Sequence, residues 1–284
     1  MRNIMFCGNS KVFGGFLTAM LSIFMRTKTK EPFRFFILTM DVSHLNPSFT
    51  PLTDAQASFL GDVARSFNPE NEVLKVDVTD IYMKEFGSCP NEGCYCSPYT
   101  LLRLFADKIP GLGEKFLYLD ADILFNKDIT LLYDIDITGF EYAASRDHYG
   151  KIILFFLRKF INAGVLLFNM EECRKTRIFE KCRSLIKEKK LVFADESALV
   201  RSTTRQKIIS QRFNDQKFLY KNTVVRHFSR RLFYFPYPHI ANIKQWQVDE
   251  VRGKFGYTQF DDIFRAYEDF SRQASSSLTQ EQRT

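Results

Sequence analysis

Short apolar runs alternate with turn residues and helix-period segments through the first 119 residues, and this alternation leaves few folds open. Ile4-Met5-Phe6-Cys7 is a strand-length run, Gly8-Asn9-Ser10 is turn chemistry, and Phe13 to Met25 has helical spacing. Pro32 then introduces a buried-strand pattern, Phe33-Arg34-Phe35-Phe36-Ile37-Leu38. Asp54 to Phe67 reads as a helix with Thr53 as its N-cap, and Val73-Leu74-Lys75-Val76 as a third strand. A helix from Tyr99 to about Lys108 leads into the strand Lys115-Phe116-Leu117-Tyr118-Leu119. Strands separated by helices imply an α/β fold with a doubly wound, mostly parallel central sheet.

Further strands are expected at Tyr142–Ala144 and Gly164–Asn169, and a charged helix from Met170 to Lys189. The polar tail from Ser271 has no core-forming pattern and reads as disordered. No stretch reaches the roughly 20 apolar residues of a membrane-spanning helix. Phe16 to Met25 imitates the apolar part of a signal peptide. A strand precedes it, however, and Arg26-Thr27-Lys28 follows without a small-residue cleavage site. It reads as an amphipathic first helix of a cytoplasmic protein. The formal charge of +7 favours partners that carry phosphate: a nucleoside diphosphate, an anionic membrane face or nucleic acid. Six cysteines are too scattered for a disulfide scaffold, although Cys89, Cys94 and Cys96 cluster in the loop from Phe86 to Pro98. Three thiolates could form part of a zinc site, but the usual paired spacing and a fourth ligand are missing.

In open α/β sheets, ligands bind beyond the C-terminal ends of the strands. Asp120 and Asp122 stand at such an end, directly after Phe116-Leu117-Tyr118-Leu119. Two carboxylates one residue apart in a turn can hold a divalent cation that in turn clamps a diphosphate. Spacing alone is weak, because Asp134-Ile135-Asp136 repeats it at the end of a helical stretch. The preceding strand is what distinguishes the first pair.

The run FLYLDADILFNKDITLLYDID resembles the central signature of glycosyltransferase family 8, which includes bacterial lipopolysaccharide galactosyl- and glucosyltransferases and glycogenin. IMFCGNSKVFGGFLTAMLSI, SPYTLLRLFADKIPGLGEKFLYLD, FINAGVLLFNM, ADESAL and VVRHFS resemble other stations of the family in the same order, covering about residues 3 to 229. The resemblance implies a single-domain, Rossmann-like GT-A fold, a UDP-hexose donor, Mn²⁺ (with Mg²⁺ as the second candidate) and retention of anomeric configuration. It divides the chain into a catalytic domain over 1–229, a basic and aromatic extension over 230–270 and the tail over 271–284.

By the same resemblance Asp120, Asp122 and His227 are metal ligands. Asn9 stands where the family often has an aspartate reaching the uracil, and Arg103 where it has an arginine near the donor phosphate and sugar. Ala121 lies between the metal carboxylates, and Asn162, Ala163 and Gly164 resemble the strand edge that contacts the sugar. Asp195 matches an acid that accepts from sugar hydroxyls. Glu196 replaces an amide that faces the reacting carbon; both are implied as catalytic residues. After its histidine the family continues with a glycine and then a lysine before a tryptophan, gripping the diphosphate. This chain instead reads Phe228-Ser229-Arg230-Arg231, which leaves Arg230 or Arg231 as the expected grip, without the close backbone approach of a glycine.

The leading expectation is therefore a metal-dependent hexosyltransferase acting on a glycan or lipid-linked glycan acceptor, peripheral on the inner face of a membrane. A nucleotide-sugar-binding protein that has lost turnover is the second, suggested by the changes at Glu196 and Arg230. Basic and aromatic residues interleave from Lys221 to Tyr237 and suit an anionic membrane interface. They also suit nucleic acid, but that reading leaves Asp120 and Asp122 unexplained and ranks last.

Overall fold

The structure is a computed structural model that describes residues 1–92, 97–148, 160–233 and 237–281. Eleven strands are assigned among them. They are β1 (Arg2–Cys7), β2 (Phe33–Thr39), β3 (Glu72–Asp77), β4 (Lys115–Leu119), β5 (Ile123–Phe125), β6 (Tyr142–Arg146), β7 (Ile161–Asn169), β8 (Gln206–Ile209), β9 (Val225–His227), β10 (Arg231–Phe233) and β11 (His239–Ala241). Seven make the central sheet in the order β3-β2-β1-β4-β7-β6-β8. The pairs β3-β2, β2-β1, β1-β4 and β6-β8 are parallel, whereas β7 runs antiparallel to both β4 and β6. The fold is α/β with a mostly parallel sheet, as the sequence pattern implies.

Apolar layers on both faces explain why the strands read as continuous hydrophobic runs. In β1, Ile4 and Phe6 enter one apolar cluster while Met5 and Cys7 enter the other. Phe116 and Tyr118 of β4 likewise face away from Leu117 and Leu119. This is the two-residue period of an extended chain sandwiched between helices.

Strand order places the crevice. The chain runs outward from β1 to β2 to β3, then returns so that β4 pairs with the other edge of β1. Reversal of this kind opens a gap beyond the C-terminal ends of the two strands, and Asp120-Ala121-Asp122 follows directly on β4.

Several local expectations are refined. Thr53 caps helix Asp54–Phe67 through a reciprocal box with Gln56. The segment Pro98–Lys108 is a 3-10 helix. The charged stretch after β7 is two helices, Met170–Thr176 and Ile178–Glu188, broken where Arg177 adopts φ +56°. Helix Phe13–Arg26 buries Gly15 through Phe24 without interruption, so it is enclosed rather than half-exposed. The C-terminal helix runs from Asp261 to Glu281, through residues that read as a disordered tail. Its first turns explain this. Phe260, Ile263 and Phe264 are fully buried in the cluster that also holds Leu17, and Arg26 makes a two-pronged salt bridge to Asp262 at 2.7 and 2.8 Å. A helix nucleated by such docking propagates at low cost through polar sequence. Among the described residues no helix is long and apolar enough to cross a membrane.

Candidate active site

A cleft of about 450 Å³ opens at this crevice. Of the residues singled out by sequence, Arg103, Asp120, Asp122, Asn162, Gly164, Asp195, Glu196, His227 and Arg230 line it. Ala121 and Ala163 lie beside it and act through backbone carbonyls. Asn9 is buried at the end of β1, with its side-chain amide on Ser48 O at 3.4 Å, and is not among the lining residues. A larger surface groove of about 710 Å³, lined by Arg177, Lys181, Lys189 and Arg201, gathers none of these residues.

Two strand pairings bring distant residues onto the Asp120-Ala121-Asp122 turn. The amide of Asp120 donates to Gly164 O at 2.8 Å, extending the β4-β7 ladder by one residue. Beyond the turn, β5 pairs with β9 so that Ile123 lies opposite His227, and Phe228 N donates to Asp122 O at 2.7 Å. His227 Nε2 consequently stands 3.0 Å from Asp122 Oδ1 and 3.8 Å from Asp120 Oδ2. Among the described residues these three form a group whose ligand atoms all lie within 4.8 Å of one another.

The donor set fits a divalent ion that accepts both oxygen and nitrogen. On the far side of the imidazole, Nδ1 lies 2.9 Å from Asn214 Oδ1. The Asn214 amide in turn donates to Asn162 Oδ1 at 2.9 Å, which requires Asn214 Oδ1 to be the acceptor and Nδ1 to carry the proton. Nδ1 is thereby the nitrogen that keeps its proton and Nε2 the one that can offer a lone pair to a metal, the outer-shell arrangement found around metal-bound histidines. Asn214 was not anticipated from sequence.

Gly164 makes this closeness possible. A Cβ there would lie 2.3 Å from His227 Cε1 and 2.8 Å from Asp120 Oδ2. The sequence reading assigned the small residues of Asn162-Ala163-Gly164 to approach by a sugar; in the structure Gly164 makes room for the histidine and the aspartate.

Arg103 is almost wholly buried and ties the cleft's walls together. Its guanidinium reaches Asp120 at 3.0 Å, Asp195 at 3.4 Å and the carbonyl of Ala163 at 2.5 Å, and lies over the Tyr118 ring at 4.1 Å. Burial alone would lower its pKa, but Tyr118, Asp195 and Asp120 together raise it. Its partners are protein groups of the cleft wall.

Lys244 was missed. It reaches the cleft from beyond the β10-β11 hairpin. The Lys244 ammonium makes a salt bridge to Asp122 Oδ2 and donates to Phe228 O at 3.2 Å. Burial would raise the Asp122 pKa, but Lys244 and His227 hold it well below the carboxylate range. Arg230 also lines the cleft, so the hairpin leaves two cations where the sequence suggested one. Cys94 and Cys96, and hence the zinc question, lie outside the described residues.

Glu196 begins helix Ala194–Ser202 beside Asp195. Its Oε1 accepts from Ala163 N at 3.0 Å and from the Asn162 amide at 3.4 Å. Burial, then the charges of Asp195 and Asp147, push its pKa well above the usual glutamate range. Asp195 is also raised, by burial against the pull of Arg103.

Residues 3–229 match the sequence model of Glycosyl transferase family 8. The chain belongs to that family. A protein of Haemophilus influenzae named as a glycosyltransferase is 29% identical over 170 residues, 57% of this chain and 47% of that one. Glycosyltransferase GlyA of Streptococcus pneumoniae is 36% identical over 112 residues, 37% of this chain and 16% of its own length. The chain thus spans less than half the length of either relative. Among solved structures, the galactosyltransferase LgtC in complex with donor and acceptor sugar analogues superposes with a TM-score of 0.66 at 19% identity, covering 96% of this chain and 95% of LgtC. GlyE of Streptococcus pneumoniae gives 0.59 at 18% identity, covering 96% of this chain and 64% of GlyE. At such identities the likeness speaks to the fold, which is GT-A.

Two outcomes follow. Gly164→Ala should keep the fold, because Gly164 lies in extended β7 where alanine is tolerated, but should lower metal-dependent turnover about 100-fold by displacing His227. Wild-type turnover in that variant would show that the close approach is dispensable. Glu196 binds its proton more tightly folded than unfolded, so its contribution to stability is present at acid pH and is lost as pH rises through the raised folded value. Glu196→Gln should therefore melt higher than wild type in alkaline, metal-free buffer, with the gap closing as pH falls into the ordinary carboxylate range. A gap independent of pH in thermal melts would contradict the assignment.

Proposed function

We propose that this protein is a metal-dependent, retaining hexosyltransferase that moves galactose or glucose from a UDP-sugar to a cell-surface glycan or lipid-linked glycan. One observation carries the reading. Among the described residues, Asp120, Asp122, Asp147, Asp195 and Glu196 line the cleft against the cations Arg103, Arg230 and Lys244, five carboxylates to three cations. Even with Glu196 protonated the balance favours negative charge. A diphosphate beside unscreened carboxylates is repelled by about 4 kcal/mol per charge pair at 4 Å and an effective dielectric near 20. The cleft therefore suits a nucleoside diphosphate only together with a divalent cation.

Asp120, Asp122 and His227 would hold Mn²⁺, with Mg²⁺ as the alternative. The ion supplies Lewis-acid neutralisation of the leaving diphosphate. The chain's own residues do the rest. Arg230 and Lys244 offer positive charge to the phosphates, and the Ser229 hydroxyl, buried in the cleft wall without a partner among the described residues, can donate to a ligand oxygen. Arg103 fixes Asp120 and Asp195 against the Ala163 carbonyl. Asp195 and Glu196 face the sugar, where Glu196 stabilises developing positive charge at the anomeric carbon. Tyr237 and Ile240, both 67% exposed on the hairpin that carries Arg231, suit contact with an anionic membrane surface.

The test is hydrolysis of UDP-galactose and UDP-glucose, with Mn²⁺ or with chelator. Hydrolysis that needs the metal and falls at least about 1,000-fold in Asp122→Ala, as expected when a charge clamp worth roughly 4 kcal/mol is lost, supports the reading. Metal-dependent binding without hydrolysis would leave a nucleotide-sugar-binding protein. Equal rates in chelator would remove the clamp.

A further inference from the structure

We propose that Lys244 serves two anions in turn, Asp122 while the metal is absent and the donor's diphosphate once it is bound, so that metal and nucleotide reinforce each other's binding. The inference rests on the donor-site reading above. Both oxygens of Asp122 are engaged without any ligand: Oδ2 by the Lys244 ammonium and Oδ1 by His227 Nε2 at 3.0 Å. Asp120 Oδ1 accepts from Tyr118 OH at 2.6 Å and Arg103 at 3.0 Å, while its Oδ2 lies 3.8 Å from His227 Nε2. A divalent ion placed among Asp120, Asp122 and His227 would therefore meet an ammonium already on one of its ligands, and like charges this close repel.

The two cations that partner the metal carboxylates differ in freedom. The Arg103 side chain is 2% exposed, stacked on Tyr118 and fixed to backbone carbonyls, so it stays. The Lys244 side chain is 21% exposed and ends a flexible four-carbon stem. Its backbone, by contrast, is pinned. Lys244 N donates to Gln247 Oε1 at 2.8 Å, and the neighbouring Gln245 amide donates to Ala121 O at 2.6 Å and to Thr18 Oγ1 at 3.0 Å. Only the ammonium need move, and it moves within a cleft that Ser229 and Arg230 also line.

Metal arrival thus frees a cation at the place to which the metal brings the diphosphate. Metal binding alone must break the Lys244–Asp122 pair without return, whereas metal with nucleotide gives Lys244 a new anion. Each ligand then raises the other's affinity by the same factor, as linkage requires.

Calorimetry of Mn²⁺ without nucleotide, and of UDP in saturating Mn²⁺, tests this on wild type, Lys244→Met and Lys244→Gln, with melting curves confirming that each variant folds. Both variants should bind Mn²⁺ alone about 5- to 30-fold more tightly than wild type and UDP about 10-fold or more weakly, shifts within the usual range of coupling between sites. Opposite signs are the signature. A lysine that only grips phosphate would leave the Mn²⁺ affinity unchanged, and one that only holds the turn together would weaken both ligands; either result overturns the exchange. Wild type that binds neither Mn²⁺ nor UDP would refute the donor-site reading and this inference together. Wild type that binds both, with unchanged metal affinity in the variants, would refute the exchange alone.

Discussion

Mutual repulsion among carboxylates in one crevice is the constraint around which the rest of this structure is arranged. Asp120 and Asp122 cannot lie beside Asp195 and Glu196 in a half-dry cleft without compensation, because unpaired buried charge costs several kcal/mol. Three kinds of compensation are present. Arg103 neutralises Asp120 and Asp195 permanently from beneath, as a buried guanidinium whose loss would leave both acids uncompensated. Burial and the neighbouring Asp195 push the Glu196 pKa upward, which lessens its share of the negative charge. Asp122 is matched by Lys244, the more movable of the cations on the metal carboxylates.

Long-range pairing makes that arrangement rigid enough to be useful. The β4-β7 ladder sets Gly164 beside Asp120, and the β5-β9 ladder sets His227 beside Asp122. Asn214 then joins the two ladders by bonding both His227 and Asn162. The C-terminal residues complete the unit: Gln245 holds the carbonyl of Ala121 from a segment that leads to helix Asp261–Glu281, packed on Phe13–Arg26. The hairpin between His227 and Lys244 thus leaves the chain free to return a lysine to the cleft.

What could be read from sequence was local. The strand before Asp120, the small residues before Val165 and the reciprocal cap at Thr53 all announce themselves within a few residues, because period and turn chemistry are short-range properties. His227 was reachable only through resemblance, since a lone histidine in Val225-Arg226-His227 has no local signal for metal binding. Asn214 and Lys244 were not reachable from local pattern. Asn214 acts through a histidine 13 residues away, and Lys244 is separated from its site by a hairpin that composition alone makes look like a membrane or nucleic-acid segment. The helical tail was misread for a related reason: Ser271 to Glu281 has little core of its own and follows from docking by Phe260, Ile263 and Phe264.

The chain belongs to glycosyltransferase family 8, and a divalent ion would offset the carboxylates of the proposed donor site. The central claim is that one divalent ion sits between the Asp120-Ala121-Asp122 turn and His227. Crystals grown with Mn²⁺ and UDP, with diffraction recorded at the manganese absorption edge, measure this directly. The account predicts a single anomalous peak within about 2.3 Å of a carboxylate oxygen of Asp120, one of Asp122 and Nε2 of His227, close to the metal–ligand lengths of such ions. A peak seated instead between Asp147 and Glu196, or UDP bound in the cleft with no peak at all, would contradict it.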